Sequence, residues 1–477
     1  MNTFLSNPNS ATSFGQLPEG NFEPDDSEEV PQGGIWKSAP PPPVRPTAPT
    51  QPVPLVPESL EELGVQPSMV EHLILKFLYF RGELVGRDLA GVLGLQFSLI
   101  DEILENLKRQ HFIAVKRSLG MGNMSAIFML TETGRNLTRE YLDNNQYVGP
   151  VPVPLQQYVA MVARQKLPEN WLTPATLKKA FGHLVVEADV LAQIGPAVNA
   201  SKSFLIYGQP GNGKTALAEA LFRVDSQPIY MPYAIECQGN IIQLYDPIYH
   251  QKIDDHDGGI TALSVALPYD GRWFKCKRPF IVTGGELVLN MLDLSFNPHS
   301  KVYDAPFQLK ANNGIYLIDD FGRQRTSPSE ILNRWIVPME RNIDYLSFHS
   351  GGKMTVPFEA FMIFSTNLQP DQLGDEAFLR RIRYKMFLRS PRAPEFVSIF
   401  ERYAASRGIA CRPGLADLFV EKHYAGGKKR FRRVHPRDVI SHAIDIIHFE
   451  SLRYELTEDV LDRAMRNCFV ESVDVND

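Results

Sequence analysis

"GQPGNGKT", Gly208 to Thr215, follows the pattern G-x-x-x-x-G-K-[ST], and its flanks decide how it reads. Before it stands "KSFLIYG", a short apolar run bounded by turn residues, the form of a buried parallel strand. After it stands "ALAEALFR", rich in good helix formers. Strand, Gly-rich loop and helix are the context in which this pattern cradles phosphate. Glycines let the backbone turn tightly with its N–H groups inward, and the helix N-terminus adds its positive end. Lys214 supplies a charge for phosphate oxygens and Thr215 a hydroxyl for Mg²⁺. Gly208, Pro210, Gly211, Asn212, Gly213, Lys214, Thr215 and Ala216 are therefore the candidate nucleotide-holding residues.

A phosphate cradle needs a metal anchor. In "NNGIYLIDDFGRQ" the apolar run Ile315 to Ile318 ends in two acids. Asp319 is placed to hold the Mg²⁺ shell, and Asp320 to polarise an attacking water. Further on, "FEAFMIFSTNLQP" reads as another core strand ending in Ser-Thr-Asn. "LGDEAFLRRI" follows it, and a helix-rich tail carries "VHPRDVISHAIDIIHFE".

In this order the motifs resemble those of the AAA+ ATPases, over residues 172–470. The resemblance implies a nucleotide-binding α/β core with a parallel sheet and a C-terminal helical lid. It implies ATP and Mg²⁺ as ligands, with Asn367 as the sensor 1 residue that orients the water. It makes Arg380 or Arg381 the arginine finger that reaches the next subunit's site, Arg381 being preferred. Arg437 takes the sensor 2 position at the start of a lid helix. The blander readings are a turn cap for Asn367, surface ion pairs for Arg380 and Arg381, and one more member of the run "KKRFRRVHPR" for Arg437. Two departures stand out. Many AAA+ ATPases have Asp-Glu where this chain has Asp319-Asp320, and a carboxylate drawn back by about 1.5 Å points to slow hydrolysis or to help from another acid. Lys214 and Asp319 are 105 residues apart, more than a compact core needs. The stretch between them, including "YDGRWFKCKRPFIVTGGELVLNMLDLSFN", is read as added sheet structure or a long loop, or else as an insertion that touches a partner.

The rest of the chain sets the frame. Of its 477 residues 44% are hydrophobic, and the net charge of −6 lacks the basic surplus of a dedicated nucleic-acid binder. Cys237, Cys276, Cys411 and Cys468 form no C-x-x-C, which fits a reducing compartment. The start "MNTFLSNPNS" lacks the basic and apolar regions of a signal peptide, and no apolar run spans a bilayer, so the expectation is cytoplasmic with no membrane partner. Thirteen of the 36 prolines fall in the first 60 residues, and residues 1–62 read as a disordered Pro-rich tail.

Residues 66–145 read as helix, helix-turn-helix, strand pair and helix, which resembles a winged-helix domain. Its first helix is expected to bury Leu73, Phe77 and Phe80. In "FSLIDEILENLKRQ", Phe97, Ile100, Ile103, Leu104 and Leu107 face inward, which leaves Asp101, Glu102 and Glu105 outside, a poor face for a phosphate-lined groove. Only Lys108, Arg109, Lys116 and Arg117 favour DNA. "GPVPVPLQQ" reads as a hinge in a linker, 146–171, leading to the core at 172–390 and the lid at 391–477.

The reading is an ATP-hydrolysing ring oligomer, a hexamer by the resemblance, that acts as a motor or chaperone-like remodeller of a protein partner. The alternatives are a DNA-directed ATPase that uses the winged helix as reader, and a slow-turnover scaffold switch.

Overall fold

The computed structural model describes residues 52–168, 171–200, 203–224, 227–253, 268–374, 379–427 and 429–469. Most of the Pro-rich tail, Lys428 of the basic run, and Asp375–Phe378 ahead of Arg380 lie outside the described residues.

The N-terminal part contains α1 (Pro67–Arg81), β1 (Glu83–Val85), α2 (Gly86–Leu93), α3 (Phe97–Arg109), β2 (Ile113–Ser118), β3 (Ala126–Leu130) and α4 (Glu132–Asn144). The strands pair antiparallel in the order β1-β3-β2. Proline at the start of α1 and left-handed Gly94 after α2 mark helix ends where backbone chemistry requires them. Leu73, Phe77, Ile100, Ile103, Leu104 and Leu107 close over Phe128 in one cluster. Phe80 is a correction: in the last turn of α1 it is 60% exposed.

Next come β4 (Val153–Pro154), α5 (Leu155–Arg164), α6 (Pro174–Ala180), α7 (Ala188–Asn199), β5 (Phe204–Tyr207) and α8 (Lys214–Phe222). Then follow β6 (Ile229–Pro232), β7 (Ala234–Cys237), β8 (Asn240–Gln243), β9 (Trp273–Cys276), β10 (Phe280–Thr283), β11 (Ser295–Asn297) and β12 (Val302–Asp304). The chain continues through β13 (Ile315–Ile318), α9 (Pro328–Arg341), β14 (Ile343–Ser347), β15 (Lys353–Pro357), β16 (Phe361–Thr366) and β17 (Tyr384–Phe387). It ends in α10 (Ala393–Ser406), α11 (Leu415–Tyr424), α12 (His435–Phe449) and α13 (Glu458–Cys468).

Five strands form an all-parallel sheet in the order β10-β13-β16-β5-β17. Of its central strands β5 and β13 are almost wholly apolar and β16 is buried from end to end, closing on Ser365 and Thr366, as in a parallel sheet covered on both faces. The long stretch before Asp319 contributes to this sheet: Phe280–Thr283 is a core strand in register with Ile315–Ile318. Around it, β11-β12-β8-β7-β4 form a second five-stranded sheet, and β6 pairs with β9. Tyr158, Ile235, Ile242, Trp273, Phe274 and Leu346 fill a separate cluster beneath them.

This added sheet removes the hinge expected at "GPVPVPLQQ". Val151 and Val153 are buried, β4 pairs with β7, and the Val151 amide donates to Leu93 O at 2.9 Å. The tail also ends sooner than expected. Residues 52–62 are described, with Pro54 and Pro57 buried and the Asp270 amide donating to Pro54 O at 3.1 Å. Prolines make a stiff strap that orders at small entropic cost, so richness in proline misleads at this boundary.

Candidate functional site

In a parallel sheet the strand C-termini share one edge, and three neighbours deliver the site there. β5 runs into the Gly-rich loop, β16 into Asn367, and β13 into Asp319 and Asp320. β16 lies between the other two, with Thr366 level with Tyr207 and Phe364 level with Ile318, so Asn367 stands between the loop and the acids. The Gly208 amide donates to Thr366 O at 3.2 Å and the Phe321 amide to Ser365 O at 2.7 Å, locking the three turns together.

Gly208 and Gly211 have φ of 150° and 77°. A Cβ at Gly208 would lie 2.5 Å from Leu388 O, and one at Gly211 would lie 2.7 Å from Val434 Cγ1. Glycine is therefore required by backbone angle and by space. α8 starts at Lys214 and Thr215, with its first N–H groups facing the loop.

The side chains form a chain of hydrogen bonds. Lys214 Nζ donates to Gly208 O (3.0 Å), Gln209 O (3.1 Å) and Asn367 Oδ1 (2.6 Å). Asn367 Nδ2 donates to Asp320 Oδ1 at 2.8 Å, and Thr215 Oγ1 to Asp319 Oδ2 at 2.8 Å. Burial pulls the Lys214 ammonium below the ordinary lysine range; Asp320 and Asp319 oppose that shift and Arg432 adds to it. Asp320 takes the left-handed φ of 48°.

A cavity of about 740 Å³ opens above this row, lined by the loop, Asp319, Asp320, Asn367, residues 183–186 and the helical segment after residue 391. That segment is tied down through its basic run. The Val434 amide donates to Gly211 O at 2.9 Å. Arg432 donates to Ser390 Oγ (2.8 Å) and Gln209 Oε1 (3.3 Å), and Arg433 to Val185 O (2.6 Å) and Glu187 Oε1 (2.7 Å). Arg432 and Arg433 thus clamp the helical segment to the loop and to residues 185–187. Arg437 lines the cavity, is 62% exposed and pairs with Asp438 at 3.1 Å. Pro210 and Ala216 line the cavity with the loop. Asn212 is buried and donates to Leu388 O (3.4 Å) and Ser390 Oγ (3.3 Å). Arg380 and Arg381 do not line the cavity; Arg381 Nε donates to Glu340 Oε1 at 2.8 Å.

Thr215 and Asp319 offer two hard oxygen ligands beside the phosphate cradle. That small set suits Mg²⁺, which keeps waters and takes its other ligands from phosphate. Among the described residues no group of three or more His, Cys, Asp or Glu gathers for a metal.

Sequence reasoning missed Gln324, Ser390 and the Arg432–Val434 clamp. The dense basic run was the signal for the clamp; Gln324 and Ser390 carry none, because their partners are backbone carbonyls or residues far along the chain.

The family model "Domain of unknown function (DUF8689)" matches residues 392–467, the helical segment over the cavity. No curated protein matches the chain. Solved structures similar to it include the RuvB Holliday junction branch migration motor of Thermotoga maritima, 14% identical, covering 64% of this chain and 73% of that one at a TM-score of 0.32. A mutant of RuvB from Thermotoga maritima covers 62% and 74% at 14% identity and a TM-score of 0.35. NtrX from Brucella abortus covers 72% and 73% at 13% identity and a TM-score of 0.37. Among the described residues no helix is long and apolar enough to cross a membrane.

Proposed function

We propose that this chain is an AAA+-type ATPase that binds ATP with Mg²⁺ between the Gly-rich loop and the helical lid, hydrolyses it as a ring oligomer, and remodels a protein partner in the cytoplasm. The carrying observation is the meeting of Lys214, Thr215–Asp319, Asn367 and Asp320 at adjacent strand ends under one cavity.

In this reading the loop amides and Lys214 hold the triphosphate, and Thr215 and Asp319 would hold Mg²⁺, which would supply neutralisation of phosphate charge. Phosphate displaces Asn367 Oδ1 from Lys214, and Asn367 then serves Asp320 and the attacking water. Asp320 takes a proton from the water as its oxygen bonds the γ-phosphorus, the bond to the β,γ-bridging oxygen breaks, and ADP and phosphate leave. Arg381, or its neighbour Arg380, leaves Glu340 and supplies positive charge across a subunit boundary. Arg437 and the Arg432–Val434 clamp carry lid motion to the loop.

The partner reading rests on the N-terminal part, whose order of elements resembles a winged helix. Two of the four cations that favoured DNA are already paired: Lys108 with Glu105 at 2.6 Å and Lys116 with Glu83 at 2.5 Å. Asn123 Nδ2 donates to both Asp101 (2.8 Å) and Glu105 (2.6 Å) on the helix that would enter a groove. This supports a protein partner over DNA. A slow-turnover switch is the second reading, favoured by the Asn367 bridge that holds Lys214 and Asp320 together.

Steady-state ATP hydrolysis against protein concentration tests the proposal. Specific activity should rise with concentration and vanish in Lys214→Ala and Arg381→Ala. An equal mixture of the two variants should recover part of it. Wild type that binds ATP and never turns it over refutes the motor and leaves the switch.

A further inference from the structure

We propose that Gln324 is a positioning residue for the hydrolytic step: its side-chain amide sets the left-handed turn that aims the Asp320 carboxylate. The proposal rests on the ATPase reading above.

The turn from Asp319 to Gln324 has two residues in the left-handed region, Asp320 (φ 48°) and Gly322 (φ 100°). A non-glycine residue stays there only when its surroundings hold it. The Arg323 amide closes the turn onto Asp320 O at 3.0 Å. Gln324 spans the rest. Its Nε2 faces three carbonyls, Asp319 O (3.1 Å), Asp320 O (3.3 Å) and Gly284 O (3.3 Å), and its Oε1 accepts from the Gly322 amide at 2.8 Å. Gly284 directly follows β10, the strand beside β13. One amide therefore grips the peptides of both acids and fastens them to the neighbouring strand.

The arrangement matters because the carboxylate is short. An aspartate has one torsion fewer than a glutamate, so the backbone fixes where its oxygens sit. Asp320 Oδ1 meets Asn367 Nδ2 at 2.8 Å only while the left-handed turn persists. Gln324 itself does not line the cavity and makes no hydrogen bond with Lys214 or Thr215. Its loss should spare nucleotide binding and strike the step that needs Asp320.

Gln324→Leu keeps the bulk and removes every hydrogen bond. Its kcat should fall by about 10- to 100-fold, the scale of a misplacement near 1 Å. Binding of a non-hydrolysable ATP analogue with Mg²⁺, and the melting temperature, should stay near wild type. Gln324→Glu adds a sharper readout. Its carboxylate cannot donate to the three carbonyls, whereas the protonated acid restores one donor. Relative to wild type at the same pH, its kcat should recover in part as pH falls toward the ordinary carboxyl range. Wild-type kcat in Gln324→Leu overturns the proposal. So does a parallel loss of turnover, analogue binding and melting temperature, which would make Gln324 a stability residue. An inactive wild type instead removes the ATPase reading, and is told apart by the wild-type assay alone.

Discussion

Replacing Arg272 with methionine should loosen the junction between the N-terminal part and the added sheet. Arg272 and Asp270 are each 2% exposed and pair at 2.8 Å. The guanidinium donates through Nε to both Asp270 oxygens (3.1 and 3.0 Å), through Nη1 to Leu63 O (2.9 Å) and through Nη2 to Gln157 Oε1 (3.1 Å). One side chain thus joins the residue 52–63 strap, α5 and β9. Methionine fills much of the volume but leaves the Asp270 charge buried alone, a loss of about 3–5 kcal/mol. At roughly 2–4 °C per kcal/mol for a unit of 150–250 residues, the transition that melts this junction should drop by about 6–20 °C. Differential scanning calorimetry of Arg272→Met, Asp270→Asn and the double variant reads it. Most of the cost comes from the orphaned charge, so the double variant should be more stable than Arg272→Met. A drop under about 1 kcal/mol in Arg272→Met, or a double variant that loses the sum of the singles, refutes the argument, because contacting residues should not be additive.

Gly211→Ala should weaken binding of a fluorescent ATP analogue, by about tenfold or more, because the new methyl meets Val434 at 2.7 Å and φ is 77°; unchanged affinity would mean the clamp does not bear on the loop. His435 accepts from or donates to Tyr424 at 2.8 Å, and burial, with Arg432 and Lys429 adding to it and Asp438 opposing, pulls it to about 4. Its folded pKa lies below its unfolded one, so the unfolded state binds more protons between about 4 and 6.5, and lid stability should fall as pH drops through that window. Thermal melts should show this acid sensitivity, reduced in His435→Phe. A low-salt gel shift with duplex DNA should show no tight complex, and Lys116→Ala with Arg117→Ala should change little; tight binding abolished by these changes would favour the DNA-directed reading.

The candidate site was legible as a cluster because its marks are local. A loop that turns on glycine and acids that end an apolar strand leave contiguous marks, and one sheet edge brings Lys214, Asp319, Asp320 and Asn367 together. The site's second layer was not legible. Ser390 meets Arg432 across 42 residues, and Gln324 works through backbone carbonyls that any residue would present. The same limit hid the strand Phe280–Thr283, whose four residues carry no marker that separates a core strand from the added sheet around it.

At two boundaries the sequence misled through proline. "GPVPVPLQQ" and the strap before Leu63 read as loose joints, yet both are packed, and the junction they build is closed at atomic range. A Cβ on Gly94 would lie 2.5 Å from Gly271 O, the Gln146 amide donates to Ser300 O at 2.7 Å, and Ala234, Ile241 and Val302 of the added sheet share a cluster with α1 and α3. An N-terminal part held this way does not swing on a tether to fetch its target. It moves with the added sheet. That sheet takes β4 from before β5, β7 and β8 from between β5 and β10, and β11 and β12 from between β10 and β13, so it is built around the strands that carry the Gly-rich loop and the two acids. In the proposed ATPase, motion at those strand ends would reach the N-terminal surface through packed side chains, so a partner held there would move with the sheet.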